Sequence, residues 1–193
     1  LEAMEVHHPL FHARLFLQGA HLTHFAARDE PHWLWISDTA RFEPGVAIRG
    51  GIPICWPWFG APEKNPPEVR RRLLTTSSHG FARTAVEDVR ETAHDVEISL
   101  SLDANSDFSD AWDGRARLLM TFHFSADGCQ LALTTTNPGS EPLAFTQALH
   151  TYLPTPDISK TLVRGLENCG YVDSLKDWSY HTQQGPVSFE GET

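Results

Sequence analysis

A histidine and an arginine occur close together in one short, glycine-containing segment, His79–Arg83, with the sequence HGFAR. An imidazole can give and accept a proton near neutral pH. A guanidinium binds phosphate or carboxylate oxygens through a planar fork of N–H donors. Residues four apart in an extended chain face the same side, so the spacing predicts that the side chains of His79 and Arg83 point the same way. The alternative is that His79 is only a turn histidine.

A second candidate segment, Ala47–Gly60, places one arginine, Arg49, among glycines, prolines and large aromatic residues. The adjacent glycines 50 and 51 permit a positive φ or a close backbone approach, and rigid aromatic side chains can line a ligand. The aromatic residues with this predicted role are Trp56, Trp58 and Phe59. The alternative is a buried aromatic corner in which Arg49 pairs with a structural carboxylate.

A third candidate segment, Phe145–Tyr152, alternates as a strand does and sets His150 on the same face as Thr146, Ala148 and Tyr152. Small and hydroxyl-bearing neighbours around an imidazole are a plausible floor for a polar pocket on a sheet. A structural histidine is the alternative.

The elements that must position these residues are predicted to be β-strands. Apolar residues recur at every second position over 96–102, 118–124 and 129–133, and Asp127-Gly128 predicts a tight hairpin turn between the last two strands. Three further short strands are predicted over 13–17, 19–22 and 33–36.

The chain is predicted to be an all-β sandwich that forms a single domain over residues 1–193. No segment shows a sustained helical period with caps, so helix is expected only in short turns. Two loops, 61–72 and 103–113, are rich in polar residues and proline and are predicted to be exposed and mobile.

Net charge, the length of apolar stretches and cysteine spacing argue against several classes of binding partner and cofactor. The 193 residues carry a formal net charge of −10, which argues against broad binding to nucleic acid or to an anionic membrane. No apolar stretch approaches the length that crosses a bilayer, and no signal peptide is recognisable, so a cytoplasmic location is expected. The three cysteines lack metal or redox spacing and are predicted to be buried free thiols; they are Cys55, Cys129 and Cys169.

A metal hydrolase is disfavoured by the spacing of the histidines. His21 with His24, or His7 with His8, could be imagined as ligands. Residues three apart or adjacent on a strand point to opposite faces, and no supporting carboxylate–histidine motif follows, so no metal site is predicted.

Four pieces of the sequence, taken in order, resemble the hexose-6-phosphate mutarotase family, also called glucose-6-phosphate 1-epimerases, within the aldose 1-epimerase group. They are GAHLTHF at 19–25, GVAIRGGIPICWPWFG at 45–60, HGFAR at 79–83, and ALHTYL with a following DI at 148–158. The resemblance implies a galactose-mutarotase-like antiparallel β-sandwich whose concave face binds a phosphorylated hexose, with no cofactor. It implies an isomerase that interconverts α and β anomers, as a monomer or weak homo-oligomer.

The resemblance also implies roles for individual residues. His150 corresponds to the general acid and His79 to a substrate-contacting histidine, while Arg49 and Arg83 correspond to arginines that bind phosphate and sugar. A sugar-binding aspartate corresponds to Asp173. The general base of the family, a glutamate on a later strand, maps to no residue here, so the domain is expected to lack its C-terminal strands. The alternative function is a sugar-phosphate-binding module without catalysis.

Overall fold

The computed structural model describes residues 1–85, 88–92 and 96–189. The chain divides into two compact units, Leu1–Leu153 and Pro154–Thr193, and each is described by itself. The single domain over 1–193 stays a prediction. Among the described residues, no helix has both the length and the apolar character needed to cross a membrane.

The first unit is built almost entirely from antiparallel strands. Its strands are β1 (Ala3–His8), β2 (Phe11–Phe16), β3 (His21–Ala27), β4 (Ile54–Cys55), β5 (Asp88–Thr92), β6 (Val96–Ala104), β7 (Ala116–Ser125), β8 (Gly128–Thr136) and β9 (Ala148–Leu149). They form a three-stranded sheet in the order β1-β2-β3, a four-stranded sheet in the order β5-β6-β7-β8, and the short pair β4-β9. One short helix, α1 (Pro67–Arg70), and single 3₁₀ turns at 62–64, 82–84 and 106–108 complete the unit.

The two larger sheets share one core because each strand alternates apolar and polar residues. Phe11, Ala13 and Leu15 of β2 are buried, as are alternate residues of β7 from Ala116 to Phe124. The sheets meet where the Phe124 ring lies with its centroid 5.9 Å from that of Phe25 and 6.2 Å from that of Phe11. The predicted sandwich of strands and the hairpin turn at Asp127-Gly128 are confirmed.

The second unit has small sheets and little buried surface. A 3₁₀ turn at 158–160 precedes its strands, which are β10 (Leu162–Val163), β11 (Gly170–Asp173), β12 (Ser179–Thr182) and β13 (Val187–Ser188). Strand β10 pairs with β13 and β11 with β12, both antiparallel. Within its described part, 154–189, no residue is fully buried.

Four sequence predictions were wrong in detail. The loop 103–113, predicted to be exposed, begins within β6 and buries Ala104 and Trp112. Residues 33–36 form no strand, and only an isolated bridge joins Ile36 to Gly50. The loop 61–72, predicted to be exposed, contains α1 and buries Asn65 and Val69. The thiols are all free, but Cys169 is exposed rather than buried.

Candidate active site

The segment after β4 and the HGFAR segment are joined through their backbones. Trp56 and Gly80 form a parallel bridge. The His79 N–H donates to the Gly60 carbonyl at 3.0 Å, and the Gly60 N–H donates to Nδ1 of His79 at 3.2 Å. Both the main chain and the ring of His79 are therefore fixed against the Trp56–Gly60 turn.

The protonation state of His79 follows from this geometry. Burial lowers the pKa of His79 below its ordinary value, and the nearby Arg83 charge and His150 ring lower it further. The ring is then neutral near neutral pH. Because Nδ1 accepts the Gly60 hydrogen bond, the proton of the neutral ring resides on Nε2.

A glycine is required beside His79 because the chains approach closely there. Gly80 has a φ of +66°, and a Cβ at this position would lie 1.9 Å from the Trp56 carbonyl oxygen. No side chain fits in that space. The histidine itself also has a positive φ, +69°, so the segment is a tight loop rather than a strand.

Arg83 is held near His79 by a turn, not by an extended chain as the spacing had suggested. It lies in the 3₁₀ turn Ala82–Thr84. Its guanidinium donates to the Ser78 carbonyl at 3.0 Å, and its charge acts on His79. The extended chain given as the reason for the prediction is wrong, because the segment is a turn. That the two side chains point the same way stays a prediction. The remaining guanidinium N–H groups can bind an anion.

His150 directly follows β9 and lies beside His79. Its N–H donates to the Pro53 carbonyl at 3.0 Å, which continues the β4-β9 pairing. The His150 and His79 ring centroids are 6.3 Å apart, at an interplanar angle of 82°. Nδ1 of His150 is buried and has no hydrogen-bond partner among the described residues.

Exposed aromatic rings flank the two histidines. The Phe59 centroid lies 5.2 Å from His79 and 6.0 Å from His150, and that of Tyr152 lies 4.8 Å from His150. Trp35 is 5.8 Å from Tyr152. Phe59 is 41% exposed and Trp35 is 39% exposed. Sequence reasoning missed Trp35 because residues 33–36 read as an ordinary buried strand.

Two tryptophans predicted to face a ligand do not. Trp56 is 0% exposed and Trp58 is 1% exposed, and both belong to the hydrophobic core. Their rings pack edge-on against Phe81. The alternative of an aromatic corner is thus correct for these two residues, whereas Phe59 faces outward as predicted.

Arg49 lies on the exposed backbone that leads into the paired glycines. Its carbonyl accepts a hydrogen bond from Ser37 N–H at 3.1 Å. Gly50 packs so closely that a Cβ there would lie 2.5 Å from the Trp35 carbonyl oxygen. In the described part of the chain, the Arg49 guanidinium has neither a hydrogen bond nor an ion pair, so the predicted alternative of a structural carboxylate partner finds no support there.

A buried histidine that sequence reasoning did not assign holds the paired glycines in place. Nε2 of His21 lies 2.8 Å from the Gly50 carbonyl oxygen, and the His21 side chain is fully buried. Burial lowers the pKa of His21 to about 4, although the hydrogen bond to Gly50 opposes this. The neutral ring therefore donates from Nε2. Its signal in the sequence was only the GAH triplet at 19–21, which ends on the first residue of β3.

Asp173, the remaining predicted site residue, belongs to the second unit. It ends β11, and its carboxylate accepts from the Leu175 N–H at 3.0 Å and pairs with Lys176 at 3.4 Å. Its role in sugar binding stays a prediction. In the first unit, the structure brings together His79, Arg83 and His150. Arg49 lies on another segment, whose next residue, Gly50, packs against the Trp35 backbone.

Known proteins match most of this chain. The model of the family described as aldose 1-epimerase matches residues 2–191. The chain is 34% identical over 180 residues to an Escherichia coli K12 protein named "Putative glucose-6-phosphate 1-epimerase", covering 92% of this chain and 56% of that protein. A protein of the same name from Cenchrus ciliaris is 30% identical over 193 residues, covering 93% and 55%. The chain thus spans about half the length of these curated relatives.

A solved structure shares the fold. A Salmonella typhimurium protein described as a "putative mutarotase" superposes with a TM-score of 0.80 at 32% sequence identity, covering 97% of this chain and 60% of that one. The fold is therefore that of the galactose-mutarotase-like proteins, as the sequence predicted. With the family model matching nearly the whole chain, the protein belongs to the aldose 1-epimerase family.

Proposed function

We propose that this chain carries the acid side of a hexose-6-phosphate mutarotase site, in which His150 is the general acid. The observation that supports this most directly is the pairing of His150 with His79, 6.3 Å apart and beside Arg83. The two histidines have different surroundings. The ring of His79 is fixed by Gly60, while Nδ1 of His150 has no partner in the part of the chain that the structure describes.

The chemistry requires a proton to be given and taken back at one oxygen. Mutarotation removes the proton of the anomeric hydroxyl and protonates the ring oxygen, which opens the hemiacetal. The aldehyde then rotates, and the ring closes on its other face. Protonated His150 gives the ring-oxygen proton and recovers it on closure, which suits an imidazole near neutral pH. Neutral His79 contributes a hydrogen bond from Nε2 to a sugar oxygen.

The phosphate anchors the substrate and does not react. Arg83 has N–H groups left after its bond to Ser78, and Arg49 is exposed. Both guanidinium groups remain charged at any working pH and form charge-assisted bonds to phosphate oxygens. Asp173 is assigned a sugar hydroxyl by the family resemblance. The family's base maps to no residue of this sequence, so only the acid side is assigned.

The test is anomer exchange of glucose 6-phosphate, measured by magnetisation-transfer NMR on this chain and on a version extended to the length of its relatives. We expect the extended protein to accelerate exchange, and we expect His150→Gln to slow it by about 10² or more. His8→Gln, at an exposed histidine of β1, is the control and should leave the rate unchanged. Equal rates for His150→Gln and the unaltered protein would contradict the assignment of the acid.

A sugar-phosphate-binding module without catalysis is the second candidate. It is favoured by the two arginines, whose anion-binding capacity does not depend on a base. Calorimetry with glucose 6-phosphate separates the candidates, because binding without anomer exchange in the extended protein supports the module. Arg49→Ala and Arg83→Ala should each weaken binding under either proposal. Equal affinity for unphosphorylated glucose would show that the phosphate assignment is wrong.

A further inference from the structure

The outer face of the first sheet carries a cluster of metal-binding side chains far in sequence from the histidines of the candidate active site. His7 of β1 and His12 of β2 are cross-strand partners in register. Their rings stack with centroids 5.0 Å apart. Glu5 lies two residues before His7, on the same face of β1. The sequence analysis considered His7 only together with its neighbour His8. It missed this cluster because two ligands can come from two paired strands as well as from a single strand.

The distances in this cluster fit a single small cation. One ligand atom from each of Glu5, His7 and His12 lies within 4.8 Å of the other two. Nε2 of His12 and Oε2 of Glu5 are 3.1 Å apart and form a hydrogen bond, in which a metal ion would take the place of the proton. Two ligands about 2.0–2.2 Å from a tetrahedral zinc ion lie about 3.3–3.6 Å from each other, so the two side chains would move apart only slightly. Small rotations of exposed side chains would bring the third ligand to the same distance.

The Glu5 carboxylate is already oriented to act as a metal ligand. Arg14, the cross-strand partner of Glu5, hydrogen-bonds to Oε1 and leaves Oε2 directed at His12. Partial burial on its own would raise the pKa of Glu5, but the hydrogen bonds and charges of Arg14 and His12 bring it below the ordinary value. A ligand held by an outer partner binds metal better than a mobile one.

We propose that Glu5, His7 and His12 form a binding site for a divalent transition-metal ion such as Zn²⁺ on the β1-β2 hairpin. Two imidazoles and one carboxylate suit Zn²⁺ rather than Mg²⁺ or Ca²⁺, which require mainly oxygen ligands. Water completes the coordination, since the site is exposed. The ion would tie β1 to β2 and stabilise the hairpin, because it binds only the paired strands.

The test is calorimetric titration of the whole chain with zinc chloride near neutral pH in a buffer that does not bind metals. A Cys169→Ser background removes the exposed thiol, which would bind zinc by itself. We expect one saturable site, and we expect His7→Gln and His12→Gln each to weaken it by about tenfold or more. His8→Gln is the matched control, since His8 stacks on Phe11 and faces away from His7.

A further measurement sharpens the outcome. Zinc should raise the thermal midpoint of the background protein and of His8→Gln, but not that of a His7→Gln, His12→Gln double variant. Zinc binding by the double variant equal to that of the background, or no saturable binding by the background, would overturn the proposal.

Discussion

At the residue scale, His21 links the hydrophobic core to the candidate active site. Its buried ring donates to the Gly50 carbonyl, and the next carbonyl, that of Gly51, accepts the Tyr152 N–H at 2.9 Å. Tyr152 in turn packs against His150. Gly51 has a φ of +63° and no room for a Cβ against the Leu22 carbonyl. One neutral imidazole thus fixes the turn to which the His150 segment is bonded.

The burial of His21 makes folding stability depend on pH. Its pKa is about 4 in the folded protein, against an ordinary value of 6.5. Between these values the unfolded chain binds the proton and the folded one does not. Stability from this group is therefore complete above pH 6.5 and is lost as the pH falls toward 4. Going from pH of about 7.5 to about 5 removes roughly 2 kcal/mol.

Replacing His21 by Gln should reduce this pH dependence. Gln keeps an N–H donor for Gly50 but does not titrate, so the difference in unfolding free energy between pH of about 7.5 and about 5 should shrink by about 2 kcal/mol. Urea denaturation at the two pH values measures it. The unfolding free energy of the variant should still decrease somewhat as the pH falls, because burial also lowers the pKa of His24 and of His79. An unchanged difference would mean that His21 is protonated in the folded protein.

At the element scale, the sequence predicted strands where the signal is local. The alternating residues of 96–102 and 118–124 form β6 and β7. Alternation along a single strand is enough to determine which of its residues face the core. The segment 145–152 also alternates, yet only Ala148–Leu149 pairs as a strand. The position of His79 and Arg83 depends on a contact with Trp56, more than twenty residues earlier, which no period in the sequence reports.

The loop that carries His79 provides a prediction about a single glycine. Gly80→Ala should destabilise the protein by about 3 kcal/mol or more, because the new Cβ would collide with the Trp56 carbonyl and the φ of +66° is unfavourable for alanine. The collision would separate the Trp56–Gly60 turn from the segment His79–Arg83. This would also displace His79, so ligand binding should weaken. Chemical denaturation and calorimetry with glucose 6-phosphate measure the two effects.

Gly45→Ala is the matched control for this prediction. Gly45 has a similar φ, +76°, but an added Cβ would meet nothing within 4 Å. Its cost should therefore be the backbone strain alone, about 1 kcal/mol. If the two substitutions destabilise the protein equally, the contact with Trp56 is not what makes glycine necessary at position 80.

At the scale of the whole molecule, burial is distributed unevenly along the chain. Every buried side chain among the described residues lies in Leu1–Leu153, where one core takes residues from both larger sheets. The described part of Pro154–Thr193 keeps large apolar side chains exposed, including Leu175 at 72% and Tyr180 at 81%. The sequence could not predict this division, because burial depends on which strands find partners across a core.

This distribution predicts which part folds by itself. A chain ending at Leu153 should keep near-ultraviolet circular dichroism and cooperative urea unfolding, because it retains the aromatic core of Trp56, Trp112 and Phe124 and the β4-β9 pair. A peptide of residues 154–189 should show no cooperative transition, since two short hairpin-like sheets without buried residues are marginal in water. Loss of the near-ultraviolet signal in the 1–153 chain would show that its core needs residues after Leu153, and the two units would then have to be treated as one cooperative domain.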